Sequence, residues 1–219
     1  MKRENRAFTL TELLIALGVI AILCAILLPI IFNLMPNQNT IMAKRAYYTV
    51  QSVISELLND TGCYPDKTSA VINARVGFDD GFGSPNCTKW DEAFINGGDA
   101  NTKFRTLFRD KLGLDGSGTT FTTPDGMDWV FNGVNFVANG TDGGEAYLLV
   151  DVNGKGEPNC SNNVSYSGIF GTGNDANCQG RQSGFDRFRM KIKGDGRVTI
   201  DSGDLWAQEA VKVDKNITE

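Results

Sequence analysis

The sequence predicts an α+β protein: a long N-terminal helix, half of it built for a membrane, laid on a small antiparallel sheet with long Gly-rich loops. Three observations predict it. The 20 residues from Leu13 to Phe32 carry no charge. After them Ala46, Val50, Val53, Ile54, Leu57 and Leu58 recur at the spacing of one helical face. Of the 25 glycines only Gly18 lies in residues 1–60, so turns and short strands belong to residues 61–219.

The apolar run comes first. At about 1.5 Å per residue, 20 helical residues span roughly 30 Å, the thickness of a bilayer's hydrocarbon core. A secretory signal peptide has a shorter apolar region, about 7–15 residues, that ends in small residues. Here the run continues into Pro29-Ile30-Ile31-Phe32-Asn33-Leu34, which offers no such end. A buried core helix is the other competitor, and the run is long for one. Lys2, Arg3 and Arg6 precede it, which assigns the N-terminus to the cytoplasmic side and the rest to the outside. The chain's net charge is −5, and residues after 32 sum to −6. That balance argues against a general grip on nucleic acid.

Residues 33–60 read as a stalk. Pro29 is expected to interrupt the apolar helix, and 33–40 to be poor in helix around Pro36. The amphipathic stripe then runs to Leu58, and Gly62 stops it. In residues 61–219, Asn101 or Thr102 caps a short helix in which Phe104, Leu107, Phe108 and Leu112 share a face, closed by Gly113. Trp129–Phe131 and Val134–Val137, joined by Asn132-Gly133, carry a hairpin signal. Ala146–Val152 has strand length. Phe188, Met190 and Ile192 alternate with Arg189 and Lys191, and Gly194-Asp195-Gly196 turns the chain into Val198 and Ile200. A sheet of about four strands or more results, one face laid on the stalk helix.

Cys24 lies in the apolar run and acts as a small hydrophobe. Cys63, Cys87, Cys160 and Cys178 fall in the body and allow three pairings. We favour Cys63–Cys87 with Cys160–Cys178, because each closes a short Gly- and Asn-rich loop, and an oxidising compartment favours the bonds. No CxxC occurs, so zinc and thioredoxin-like chemistry lack support.

The unusual residue is Glu12, a carboxylate at the start of the apolar run. Such a group is costly in a membrane and flags function, although a first-turn acid also suits the helix dipole. The string Ala7-Phe8-Thr9-Leu10-Thr11-Glu12-Leu13-Leu14, followed by the long apolar helix, resembles the class III signal of type IV pilins and type II secretion pseudopilins. The resemblance implies a leader, residues 1–7, cut between Ala7 and Phe8 by a membrane-embedded prepilin peptidase, and methylation of the new Phe8 amine. It implies a transmembrane helix over 8–32 and a pairing of Glu12 with the amine of a neighbouring subunit during assembly. The family usually has Gly before the cut, and Ala7 stands there in this chain. Implied partners are copies of the same chain, other pseudopilins, the peptidase and an inner-membrane assembly platform. The implied location is the inner membrane, single-pass, and then a filament.

One body segment carries oxygen-rich side chains. Asp151-Val152-Asn153-Gly154-Lys155-Gly156-Glu157-Pro158-Asn159 sets them around a Gly turn, as a Ca²⁺ loop would, but lacks the full EF-hand set, with Lys155 in place of a donor. The plainer reading is a polar turn after a strand. With Asp186 downstream, the segment is similar to the C-terminal loop of major pseudopilins, where calcium stabilises the fold. Asp151, Asn153, Asn159 and Asp186 are the ligands this similarity implies.

The chain contains no histidine, which removes Ser-His-Asp triads, HExxH zinc helices and imidazole proton shuttles. No convergent catalytic set is visible, and the expectation is a structural subunit without catalysis. The competing classes are a membrane-anchored extracytoplasmic ligand-binding protein, or enzyme, and a tip adhesin.

Overall fold

The structure is a computed structural model and describes residues 10–34, 37–64, 77–79, 87, 90, 99–116, 118–136, 144–154, 156–162, 166, 169 and 184–212. The chain divides into two compact units, Met1–Asn37 and Gln38–Glu219.

The first unit is one helix, α1, Leu10–Leu34. Leu13, Leu14, Ile15 and Leu17 point in different directions around it, and each is more than half exposed. A helix apolar on every side must be covered by lipid or by other helices. The expected interruption at Pro29 does not occur, since α1 runs on to Leu34. Proline removes one N–H, but in an apolar setting a backbone opened further would leave more groups with nothing to bond. The helix-poor stretch expected over 33–40 is correspondingly shorter.

The second unit begins with α2, Gln38–Asn59. Its stripe is the one expected, extended by a turn: Ala43, Ala46, Val50, Val53, Ile54 and Leu57 are buried, and Leu58 partly. Helix α3, Ala100–Lys111, brings Phe104, Leu107 and Phe108 inward. Its cap is Asp99, not Asn101 or Thr102. Asp99 is extended (φ −80°, ψ 93°), and its carboxylate accepts the N–H groups of Asn101 and Thr102. The other end closes as expected, with Gly113 at φ 73°. Phe104 is the hub of an aromatic cluster, its ring centre 4.8 Å from that of Phe78, 4.9 Å from Phe136 and 5.9 Å from Phe131.

Five antiparallel strands follow in sequential order: β1 Thr120–Thr122, β2 Asp128–Asn135, β3 Glu145–Asp151, β4 Arg187–Lys193 and β5 Val198–Ile200. Trp129, Phe131, Leu148, Val150, Phe188, Met190 and Ile192 line one face and share a single core with α2 and α3. The β4–β5 hairpin is as expected, with Met190 opposite Ile200 and Ile192 opposite Val198. Asn132-Gly133 is not a hairpin turn. Strand β2 runs straight through it, and β3 pairs with both halves, Phe131 opposite Leu148 and Val134 opposite Ala146. The extra residue is absorbed as a bulge with Gly133 at φ 90°.

Both edge strands are covered at an outward carbonyl. On β1 the hydrogen bond from the Phe131 N–H to the Thr119 carbonyl leaves Thr120 facing away from β2, and Arg109 of α3 donates to its carbonyl at 2.9 Å. On β5 the Val198 carbonyl faces away from β4 and accepts the Tyr47 hydroxyl of α2 at 3.4 Å. A last helix, α4, Leu205–Lys212, turns Ala207 and Ala210 inward and lies against α2. It was not expected from sequence.

Candidate functional site

Two places carry the residues singled out by sequence. At the N-terminus, Ala7 and Phe8 lie outside the described residues. Glu12 sits in the first turn of α1, where its charge suits the positive end of the helix. Leu10–Leu28, 19 residues with mean hydropathy 2.7 and none of it buried, is long and apolar enough to cross a membrane. Glu12 is the sole charged residue of that span.

The second place lies in the body. Strand β3 ends at Asp151 and β4 begins at Arg187, directly opposite in register. The Arg187 Nε donates to Asp151 Oδ2 at 2.7 Å, and both side chains are about 1% exposed. The Arg187 Nη2 donates to Asn159 Oδ1 at 2.7 Å. Asn159 takes a left-handed backbone, φ 54°, which turns its N–H toward Asp186. Asp186 accepts that N–H at 2.7 Å and the N–H of Cys160 on its other oxygen. The Cys160 carbonyl in turn accepts the N–H groups of Asp186 and Arg187, each at 2.9 Å. The structure therefore gathers Asp151, Asn159 and Asp186 into one buried knot.

Asn153 lies beside the knot. Its amide donates to the Glu157 carbonyl at 3.1 Å. Its Oδ1 and Asp151 Oδ1 are buried acceptors without a partner among the described residues. Burial pushes the Asp151 carboxyl up and the Arg187 guanidinium pulls it back, and burial also raises Asp186 against its two N–H donors.

These oxygens can be tested against a calcium ion, which takes 6–8 oxygens from flexible loops. Asp151 Oδ2 and Asn159 Oδ1 are bonded to a guanidinium, and both Asp186 oxygens to backbone N–H groups. Two oxygens remain. No group of three or more acidic or cysteine side chains placed to hold a metal occurs among the described residues. The donor set does not fit a calcium ion. Sequence reading found three of the four members of the knot and missed Arg187, which its position next to Asp186 could have suggested.

Arg187 opens a ladder along β4. Arg189 bonds Asp201 through Nε at 3.0 Å, and Lys191 reaches Glu145 at 2.8 Å. Arg189 also lies between the rings of Tyr147 and Tyr166, at 4.7 and 5.0 Å. Below it Asp204 is fully buried, accepts the Arg189 N–H at 2.7 Å and is raised to about 7 by burial.

Cys63 and Cys87 are bonded, with Cα atoms 4.6 Å apart. Cys160 is buried and disulfide-bonded, and Cys178 lies outside the described residues.

Residues 2–28 match the family described as the prokaryotic N-terminal methylation motif. No curated protein and no solved structure matches the chain. The N-terminal segment is thus a prepilin-type processing signal, and Glu12 and most of the apolar span lie within it.

Proposed function

We propose that the chain is a structural subunit of a type IV pilus-like or type II secretion pseudopilus filament. The observation that carries this is the methylation motif over residues 2–28, set on a helix apolar on every side with one carboxylate in its first turn. Insertion of α1 in the membrane places Lys2, Arg3 and Arg6 in the cytoplasm and the body outside. Prepilin peptidase cuts between Ala7 and Phe8, and the Phe8 amine is methylated.

Glu12 gives the helix its selectivity in assembly. A carboxylate on a lipid-facing helix is stable only when paired, and the new amine of a neighbouring subunit is the cation that processing creates. Pairing aligns one α1 against the next, and removal of apolar side chains from lipid contact packs the filament core. Copies of the chain, other pseudopilins and an inner-membrane platform are the partners this route requires. The body supports the reading by its chemistry: it has no histidine, and Arg187, Arg189 and Lys191 of β4 are tied to Asp151, Asp201 and Glu145 in ion pairs that hold the sheet together.

Protein isolated from its own host tests the processing. Intact mass and N-terminal sequencing should give a chain that starts at methylated Phe8. A chain that starts near Asn33, or keeps Met1, overturns the reading.

A further inference from the structure

We infer that Arg187 occupies the place of a divalent cation in the 151–160 loop, so that the body folds independently of calcium. The oxygens that a metal would gather are present, but a covalently tethered cation gathers them instead. Its planar fork takes Asp151 on one nitrogen and Asn159 on another, both at 2.7 Å.

Charge excludes a second cation at this spot. Asp151 and Arg187 are both fully buried and neutralise each other, and Asp186 commits its oxygens to two backbone N–H groups. A divalent ion seated on Asp151 Oδ1 and Asn153 Oδ1 would lie next to the guanidinium, with those two oxygens as its side-chain ligands from this set. Like charges this close repel strongly in a buried setting.

The knot also does what a structural metal does elsewhere: it ties distant elements together. The Arg187 carbonyl accepts the indole N–H of Trp206 in α4 at 3.3 Å. The Val152 N–H donates to the Asp186 carbonyl at 2.9 Å, and Asn39 of α2 donates to the Phe185 carbonyl at 3.0 Å. Arg187 therefore stands where β3, β4, α4 and the first turn of α2 meet. This inference is independent of the filament reading.

The test is thermal melting of the full-length chain in detergent, followed by tryptophan fluorescence, since Trp90, Trp129 and Trp206 all lie in the body. In millimolar CaCl₂ and in chelator the wild type should melt within about 1 °C. Arg187→Met leaves a buried charge without a partner and should melt about 10 °C lower in both conditions. Adding Asp151→Asn should recover much of that loss, because the double variant has no orphaned charge. Two results overturn the inference: a wild-type melting temperature raised by more than about 3 °C in calcium, or an Arg187→Met cost no larger than that of Arg197→Met on the surface. Should Arg187→Met fail to fold, the wild type in calcium and chelator still decides.

Discussion

Helix α1 and the body solve the problem of apolar surface in opposite ways. In the Leu10–Leu28 span of α1 every face is apolar and none is covered, so its stability as a folded element depends on what surrounds it. Among the described residues of the body most of the large apolar side chains meet in a main core between the sheet, α2 and α3, with two small satellites, and the acidic and basic groups of β4 are bonded across the sheet. Under the proposed function the contrast assigns association to the helix and shape to the body. A substitution in one unit should therefore leave the other's property intact.

The largest expected effect tests that division directly. Glu12→Leu should leave membrane insertion and cleavage intact but lower incorporation into sheared filaments by about tenfold or more, which corresponds to the loss of at least roughly 1.4 kcal/mol of pairing. The melting temperature of the body should not move. Equal incorporation of variant and wild type would show that the carboxylate is not the assembly contact.

Next is the disulfide. Removing Cys63–Cys87, by Cys63→Ser with Cys87→Ser, should cost about 3 kcal/mol and lower the body's melting temperature by several degrees. Non-reducing peptide mapping should show this link in the wild type and place Cys160 with Cys178. Four free thiols in envelope protein would contradict the inferred compartment.

The third effect is pH. Asp204 is raised to about 7 by burial, with Arg189, Asp201 and Tyr166 around it. A carboxyl raised on folding binds protons more tightly in the folded state. Its contribution is fully present below the unfolded value near 4 and is lost as pH climbs through 7. The body should thus melt lower at pH 8 than at pH 5, by an amount on the order of 2 kcal/mol. Asp204→Asn should remove most of that slope. Asp99, Asp195, Asp201 and Glu145 are held below their ordinary values and act only at more acid pH. A melting temperature that is level between pH 5 and pH 8 would break this assignment.

The smallest effect is the α3 cap. Asp99→Ala should cost about 1 kcal/mol, measured by denaturant unfolding, whereas Thr102→Ala should cost less. Equal costs would restore Thr102 as the cap.

Local repetition is the part of the fold that is legible in the sequence. The α2 stripe, the Phe104 face of α3 and the alternation from Phe188 to Ile200 come from side-chain period alone, and each stands as expected. Two of the misreadings share one cause, a partner distant in sequence. Asn132-Gly133 has the composition of a turn, yet β3 binds on both sides of it and stretches it into a bulge. Arg187 lies 36 residues from Asp151, and no local spacing announces a bond between them. Helix α4 is a different case. Asp204 before Leu205-Trp206-Ala207 has the composition of a helix start, a signal present in the sequence, although its carboxylate accepts the Arg189 N–H.

The covered edge carbonyls set a toll on misassociation. For one body to zip onto another strand by strand, the newcomer would have to evict a tyrosine hydroxyl from Val198 or a guanidinium from Thr120 before the first rung could form. Each rim is also only three residues long. Two bodies that meet edge to edge can therefore collide and part again.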